Sequence, residues 1–287
     1  MQLDLATVLL QWATGGLLGC WVTTRRREVG LGYGWLLRAT FVVLAVGAVV
    51  AGRASGDDST GAVMRDVAAA AVAAGAGFAL VISIARRAAG ASGQRARQDA
   101  RRRRVAGMLG RSGEHGAIDA TVSREFPPAL DLVAPVLGLV GLLGAASAAG
   151  GPYALALVRI VAGSLFLGVV TDAMLLGHWY LVQPGLGRDP IKELVRLVAW
   201  LWPLEVAALL WPTGMLQVIS GTVDDGWNGL LGWTWAVSAA STIVLVGVTW
   251  LALRERSYSA VMAATGLLYL GILTAFGTDL IARAVLA

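Results

Sequence analysis

The sequence predicts an all-α, polytopic transmembrane helix bundle of about eight spans, with both termini outside. Three observations carry that fold class. The chain has 287 residues, of which 57% are hydrophobic and only 14% charged, against about 25% charged in a soluble domain. Its apolar residues fall into eight stretches long enough to cross a bilayer, which takes roughly 20 residues at ~1.5 Å rise through a ~30 Å core. Arginine collects in every second break between those stretches, the asymmetry that sets orientation in a membrane.

Span one covers residues 5–23. Asp4 precedes it and Arg25, Arg26 and Arg27 follow it, the charge order of a helix whose N-terminus is outside. The run Leu17-Leu18-Gly19-Cys20 faintly resembles a lipoprotein cleavage site. A secretory signal places its positive charge first, so no cleaved signal is expected. Span two covers 35–51 and span three 67–85, the latter rich in Ala and Gly that let helices approach closely. A polar segment, 86–128, follows and is read as an Arg-rich cytoplasmic loop within one integral membrane domain, 1–287. Span four is 129–149, span five 153–182, span six 191–211, span seven 230–253 and span eight 257–284.

The breaks obey one orientation throughout. The third break holds ten arginines, the fifth Arg188 and Lys192, and the seventh Arg254 and Arg256. In the second, Arg53 and Arg65 are offset by Asp57, Asp58 and Asp66; the fourth has no charge and the sixth only Asp224 and Asp225. A missed or false span would break this alternation. Aromatic residues favour the same ends, where a ring sits in lipid and its polar edge stays wet. Trp21, Trp35, Trp179, Tyr180, Trp250 and Tyr258 mark inner ends, and Tyr153, Trp211, Trp227 and Trp233 outer ends. Trp12, Trp200 and Trp202 lie deeper and are expected to pack between helices.

Composition also narrows function. Arg supplies 22 of the 23 basic side chains, and with abundant Ala, Gly and Val this points to a GC-rich bacterial genome, hence to the bacterial cytoplasmic membrane. Two histidines, His115 and His178, and one cysteine, Cys20, are too few for a bis-histidine haem in the bundle, a multi-histidine metal site or a thiolate cluster. No phosphate loop, zinc-protease helix or serine-hydrolase elbow occurs, so no intrinsic catalytic activity and no intrinsic cofactor are expected. No internal repeat of the kind many transporters carry is visible.

Two regions hold candidate function. In the polar segment, Arg95, Arg97, Arg101, Arg102, Arg103 and Arg104 form a dense basic cluster. It suits anionic lipid headgroups, at about 1 kcal/mol per residue, or an acidic cytoplasmic protein subunit. Nucleic acid is not expected, because no aromatic residues interleave with the arginines. Span five is the most polar span, and an ionisable residue inside a membrane is a functional candidate by default. Asp172 shares a helix face with Gly168, Leu176 and Trp179, while Thr171 and His178 share a neighbouring one. Asp and His can exchange protons, and Trp179, Tyr180 and His178 could flank and hydrogen-bond a quinone head. Arg159 and Glu205, both in outer halves of sequential antiparallel spans, are expected to form a buried ion pair. Asp279 and Arg283, four residues apart, read as an exposed helical pair.

Three functions fit these features. The chain is a non-catalytic membrane subunit of a redox or energy-converting assembly, with a quinone- or proton-handling pocket at the inner end of span five. Alternatively it is a secondary transporter or flippase lined by Asp172, Arg159 and Glu205, or a scaffold whose polar residues are structural. The topology has its own test. Reporter fusions after Arg104 and after Asp225 are expected to fall on opposite sides of the membrane; both on one side would refute eight spans.

Overall fold

In the computed structural model the apolar runs become helices; the residues described are 4–90, 92, 95–96, 99–100, 103, 125–183 and 185–286. Helix α1 is Leu5–Thr24, and Asp4 caps it by accepting from the backbone N–H groups of Ala6 and Thr7, donors that the first turn leaves free. Helix α2, Leu31–Ser55, ends on Gly56 in the left-handed region (φ 65°). Helix α3, Thr60–Ala85, is capped by Ser59. A 3₁₀ turn, Pro128–Leu132, leads into α4, Val133–Ala148. Pro135 therefore falls in the first turn of α4, where its missing N–H costs nothing. Helix α5, Tyr153–Val182, is the longest at 30 residues, about 45 Å. Helix α6 is Asp189–Leu210, α7 the short Gly214–Ile219, α8 Leu230–Ala252 and α9 Tyr258–Val285. No strand occurs among the described residues.

Seven of these helices are long and apolar enough to cross a membrane, which makes the chain a multi-pass membrane protein. The expected sixth span, α6, falls short because it carries Asp189, Lys192, Glu193, Arg196 and Glu205. Its placement nevertheless matches its neighbours. Its 22 residues extend about 33 Å. At one end Glu193 meets Arg25 at the close of α1 (2.5 Å). At the other, the carbonyls of Ala208 and Trp211 take hydrogen bonds from Arg159 near the start of α5. It thus runs antiparallel to α5 over the same depth, burying Ile191, Leu194, Val195 and Val198 on one stripe.

The odd-numbered breaks converge on one end of the bundle. Arg27 pairs with Glu125 (2.5 Å), the Gly30 N–H donates to Gln183 (3.2 Å), and Arg188 donates to the carbonyls of Arg256 and Ser257 (both 2.8 Å). Asp4, Gly56, Ser59 and Trp211 mark the opposite end, where both described termini lie. The surface between the ends is apolar: Val43, Val46, Phe78, Val136, Val237, Val244 and Leu273 all face outward. Trp200 joins them at 70% exposure, against the expectation that it packs between helices, because it lies off the inward stripe of α6, which runs on from Val198 to Glu205, Ala208 and Leu209. Trp12 and Trp202 do pack inward, donating to Thr171 Oγ1 and to the Ala239 carbonyl (both 2.9 Å). In the break before α8, Asp225 accepts from the backbone N–H groups of Trp227 (2.9 Å), Gly229 (2.8 Å) and Leu231 (2.8 Å). Desolvation, the largest single influence, pushes its carboxyl up, but these donors together outweigh it and hold the group below the usual carboxylate range.

Helix α1 lies among α2, α3, α4 and α5, while α5 is shared with a second group formed by α6, α8 and α9. The α1–α5 contact is parallel and made by backbone. A Cβ on Gly15 would fall on the Ser164 carbonyl, and one on Gly168 would fall on the Gly15 backbone. Lipid offers no hydrophobic drive between helices, so such side-chain-free approach supplies van der Waals contact instead.

Near the Arg-rich end, Arg38 of α2 holds Asp131 through two bonds of 2.7 Å, both side chains 3% exposed. The guanidinium also lies 4.4 Å from the Phe126 ring centroid. Breaking a buried pair from one side leaves an uncompensated charge, at about 3–5 kcal/mol. Arg38→Ala or Asp131→Ala alone is therefore expected to lower the melting temperature in mild detergent sharply. Arg38→Met combined with Asp131→Leu should regain most of the loss; a double variant as unstable as the worse single one would show that the pair does more than neutralise itself.

Candidate functional site

Polar side chains in the bundle interior line the α1–α5 contact. At the end away from the arginines, Gln11 of α1 receives Arg283 Nη2 on its Oε1 (2.5 Å) and reaches Asp279 Oδ1 through Nε2 (3.5 Å). Arg283 Nε donates to Asp279 Oδ2 (2.7 Å). Asp279 and Arg283 are thus buried between α1 and α9, correcting their reading as an exposed helical pair. The i,i+4 spacing was legible, but which way that face of α9 points was not. Deeper, Ser164 Oγ donates to the Gln11 carbonyl (2.8 Å) and Thr171 Oγ1 to the Leu167 carbonyl (2.7 Å).

Asp172 sits further along the same interface and is 0% exposed. It faces α1 and α2: a Cβ on Gly19 would fall on its Oδ2, and the Tyr33 hydroxyl donates to its backbone carbonyl (3.1 Å). Neither carboxyl oxygen has a hydrogen-bond partner among the described residues. Glu205 of α6 is alike, 0% exposed and with neither oxygen hydrogen-bonded to a donor among the described residues. It lies against Asp279, Arg283 and Arg159. Two carboxyls side by side are joined only by a proton held between them.

Arg159 and Glu205 are brought to one end, as expected, but make no direct ion pair. Arg159 Nε donates to the Ala208 carbonyl (3.1 Å) and Nη2 to that of Trp211 (2.8 Å). The last carbonyls of a helix lack intrahelical donors and carry the negative end of its dipole. That combination draws the guanidinium to the end of α6 and leaves Glu205 one turn below without it.

The other candidates of span five divide between two sides. Thr171 takes the Trp12 bond facing α1. Trp179 donates to Gln183 Oε1 (2.9 Å), with its ring centroid 6.1 Å from that of Tyr33 on α2. His178 is exposed and faces α9, its Nδ1 3.1 Å from the Tyr269 hydroxyl. The buried Tyr180 donates its hydroxyl to the Gly187 carbonyl. Asp172 and His178 are therefore not in one pocket: six residues apart, they lie about 120° apart around the helix. Of the basic cluster, Arg95 pairs with Glu125 (2.8 Å) and Arg103 is exposed; Arg97, Arg101, Arg102 and Arg104, with His115, lie outside the described residues. Among the described residues no group of three or more His, Cys, Asp or Glu could hold a metal ion.

Sequence reasoning missed Gln11, Arg38, Asp131 and Tyr33. Arg38 was the most legible of them, since an arginine seven residues into an apolar helix demands a partner. Asp131 stood at a span boundary and passed as interfacial. Comparison with known protein families, with curated proteins and with solved structures finds no match.

The contact between Gly19 and Asp172 makes a specific prediction. Gly19→Ala should destabilise by about 1–3 kcal/mol, the cost of overpacking a fitted interface. Adding Asp172→Ala should recover most of that by removing the atoms in the way. Simple additivity of the two losses, measured by thermal unfolding in detergent, would place the Asp172 carboxyl elsewhere.

Proposed function

We propose that this protein is a secondary transporter driven by protons, with Asp172 and Glu205 as the proton-carrying groups. The observation that supports the reading is the pair of fully buried carboxyls without hydrogen-bond donors among the described residues. An ionised carboxylate so placed is costly. Such a group either keeps a proton or awaits a cation, and it gives up what it holds when a rearrangement wets it. A structural carboxylate has no reason to lack donors; Asp131, with Arg38 and Thr24 on its two oxygens, is the contrast within this chain.

Glu205 belongs to the end away from the arginines, through Arg283 and Arg159, and Asp172 lies about 28 Å along α5 from Tyr153, nearer the Arg-rich end. The two carboxyls therefore occupy different depths, as stations loaded from opposite sides would. With the Arg-rich end cytoplasmic by the distribution of positive charge, both termini are outside. The runner-up, a quinone-facing redox subunit, needs Asp172, His178 and Tyr180 around one ligand head, whereas these side chains face different neighbours. Its proton-handling half is retained here.

Asp172→Asn and Glu205→Gln keep the shape of each side chain and remove the exchangeable proton. Both variants are expected to elute and melt as the parent does. Each should remove one protonated-carboxyl stretching band from the infrared spectrum at neutral pH. In vesicles loaded with a pH-sensitive dye, each should abolish proton movement under an imposed membrane potential. Parent protein that shows no such bands and moves no protons would end this reading.

A further inference from the structure

A cavity of about 370 Å³ opens at the end away from the arginines, among α1, α2, α3, α4, α5 and α9. Asp4, Thr7, Ser55, Asp57, Arg65 and Arg283 supply its polar wall. The size is that of a small-ligand site. Its decisive feature is Arg65, which is 3% exposed. Its Nε donates to Asp66 Oδ1 (2.9 Å) and its Nη1 to Asp4, while Nη2 has no partner among the described residues. A buried guanidinium with an unused N–H₂ group lacks an acceptor, and an anionic oxygen is the strongest one it can take. Arg283 lines the same cavity as a second cation.

The wall does not favour a bare anion. Asp57 stands exposed at the rim, where the Ser59 N–H donates to it (2.9 Å). That bond and the Ser59 hydroxyl hold its carboxyl below the ordinary range, so it is charged at neutral pH. Asp4 lies on the wall as a second carboxylate. The mouth thus carries negative charge, and the unsatisfied Arg65 Nη2, shielded from the cavity in this conformation, meets a ligand oxygen once the side chain turns into it.

We propose that this cavity binds a small zwitterion, with its carboxylate or phosphate on Arg65 and its ammonium group toward Asp57. A free amino acid or phosphoethanolamine carries this chemistry, and so does the headgroup of phosphatidylethanolamine. The site stands whether or not Asp172 and Glu205 carry protons, because it is read out by binding at equilibrium.

The test uses the full chain purified in a neutral detergent, with isothermal titration calorimetry against glycine and phosphoethanolamine. One site per chain is expected for at least one of them. Inorganic phosphate and ethanolamine, each with half of the charge pattern, should bind at least about tenfold more weakly, the loss of one charge-assisted contact. Arg65→Gln should weaken binding by at least about the same factor. Should Arg65→Gln fail to fold, Ala148→Phe adds bulk to the cavity wall from α4 and should also abolish binding. Saturation by phosphatidylethanolamine in nanodiscs, lost in Ala148→Phe and absent for both soluble probes, would assign the same chemistry to the lipid. Binding of none of the three, inorganic phosphate binding as tightly as phosphoethanolamine, or binding that survives Ala148→Phe would overturn the proposal.

Discussion

The backbone contact between α1 and α5 is the constraint on which the rest of the structure depends. Gly15 and Gly168 meet without side chains, so two parallel helices approach closely over their middle turns. One line of interior polar side chains is hung on that seam. Gln11 reaches Arg283 and Asp279, Ser164 reaches the Gln11 carbonyl, and Asp172 presses on Gly19. A bulkier pair at positions 15 and 168 would move α5 outward, and α6 and α9 with it, since both pack on α5.

The interior holds its charges in two different ways. Arg38 and Asp131 satisfy one another, with Ser83, Thr24 and Phe126 closing the remaining sides. Such a pair contributes little over a well-packed apolar one, yet it punishes loss of either member. Asp172 and Glu205 have no such partner among the described residues. The contrast lies in local geometry rather than in burial: Asp131 sits in a turn between helices, where a neighbouring helix can reach both oxygens. Asp172 points from a straight helix into a glycine-lined seam too narrow for a long basic side chain.

Much of the fold was legible in the sequence because the bilayer imposes it. Span length, arginine placement and interfacial aromatics each follow from the physics of crossing an apolar slab, and together they located the long helices among the described residues, seven of them apolar enough to cross a membrane. Helix ends were less legible: α2 and α3 begin four and seven residues earlier than their spans, because a helix continues past the hydrocarbon into the headgroups. The site was legible residue by residue but not in its partnerships. Asp172 and Glu205 stood out as intramembrane acids. That Arg159 would choose the end of α6 over Glu205 depends on the orientation of carbonyls, to which composition is blind. That Asp279 and Arg283 face inward depends on which side of α9 meets α5, and the weak amphipathicity of a lipid-facing helix does not say.

The bidentate grip of Arg38 on Asp131 joins residues 93 positions apart, and this bears on how the chain is made. Ribosomal synthesis delivers α2 and α3 before the acid that neutralises Arg38 has been translated. Until then the guanidinium has only water or lipid phosphate to satisfy it, so the start of α2 must stay near the membrane surface. Burial of that guanidinium without cost must wait for the turn before the fourth helix. A chain truncated ahead of Asp131 would therefore carry Arg38 as an uncompensated charge in its second helix.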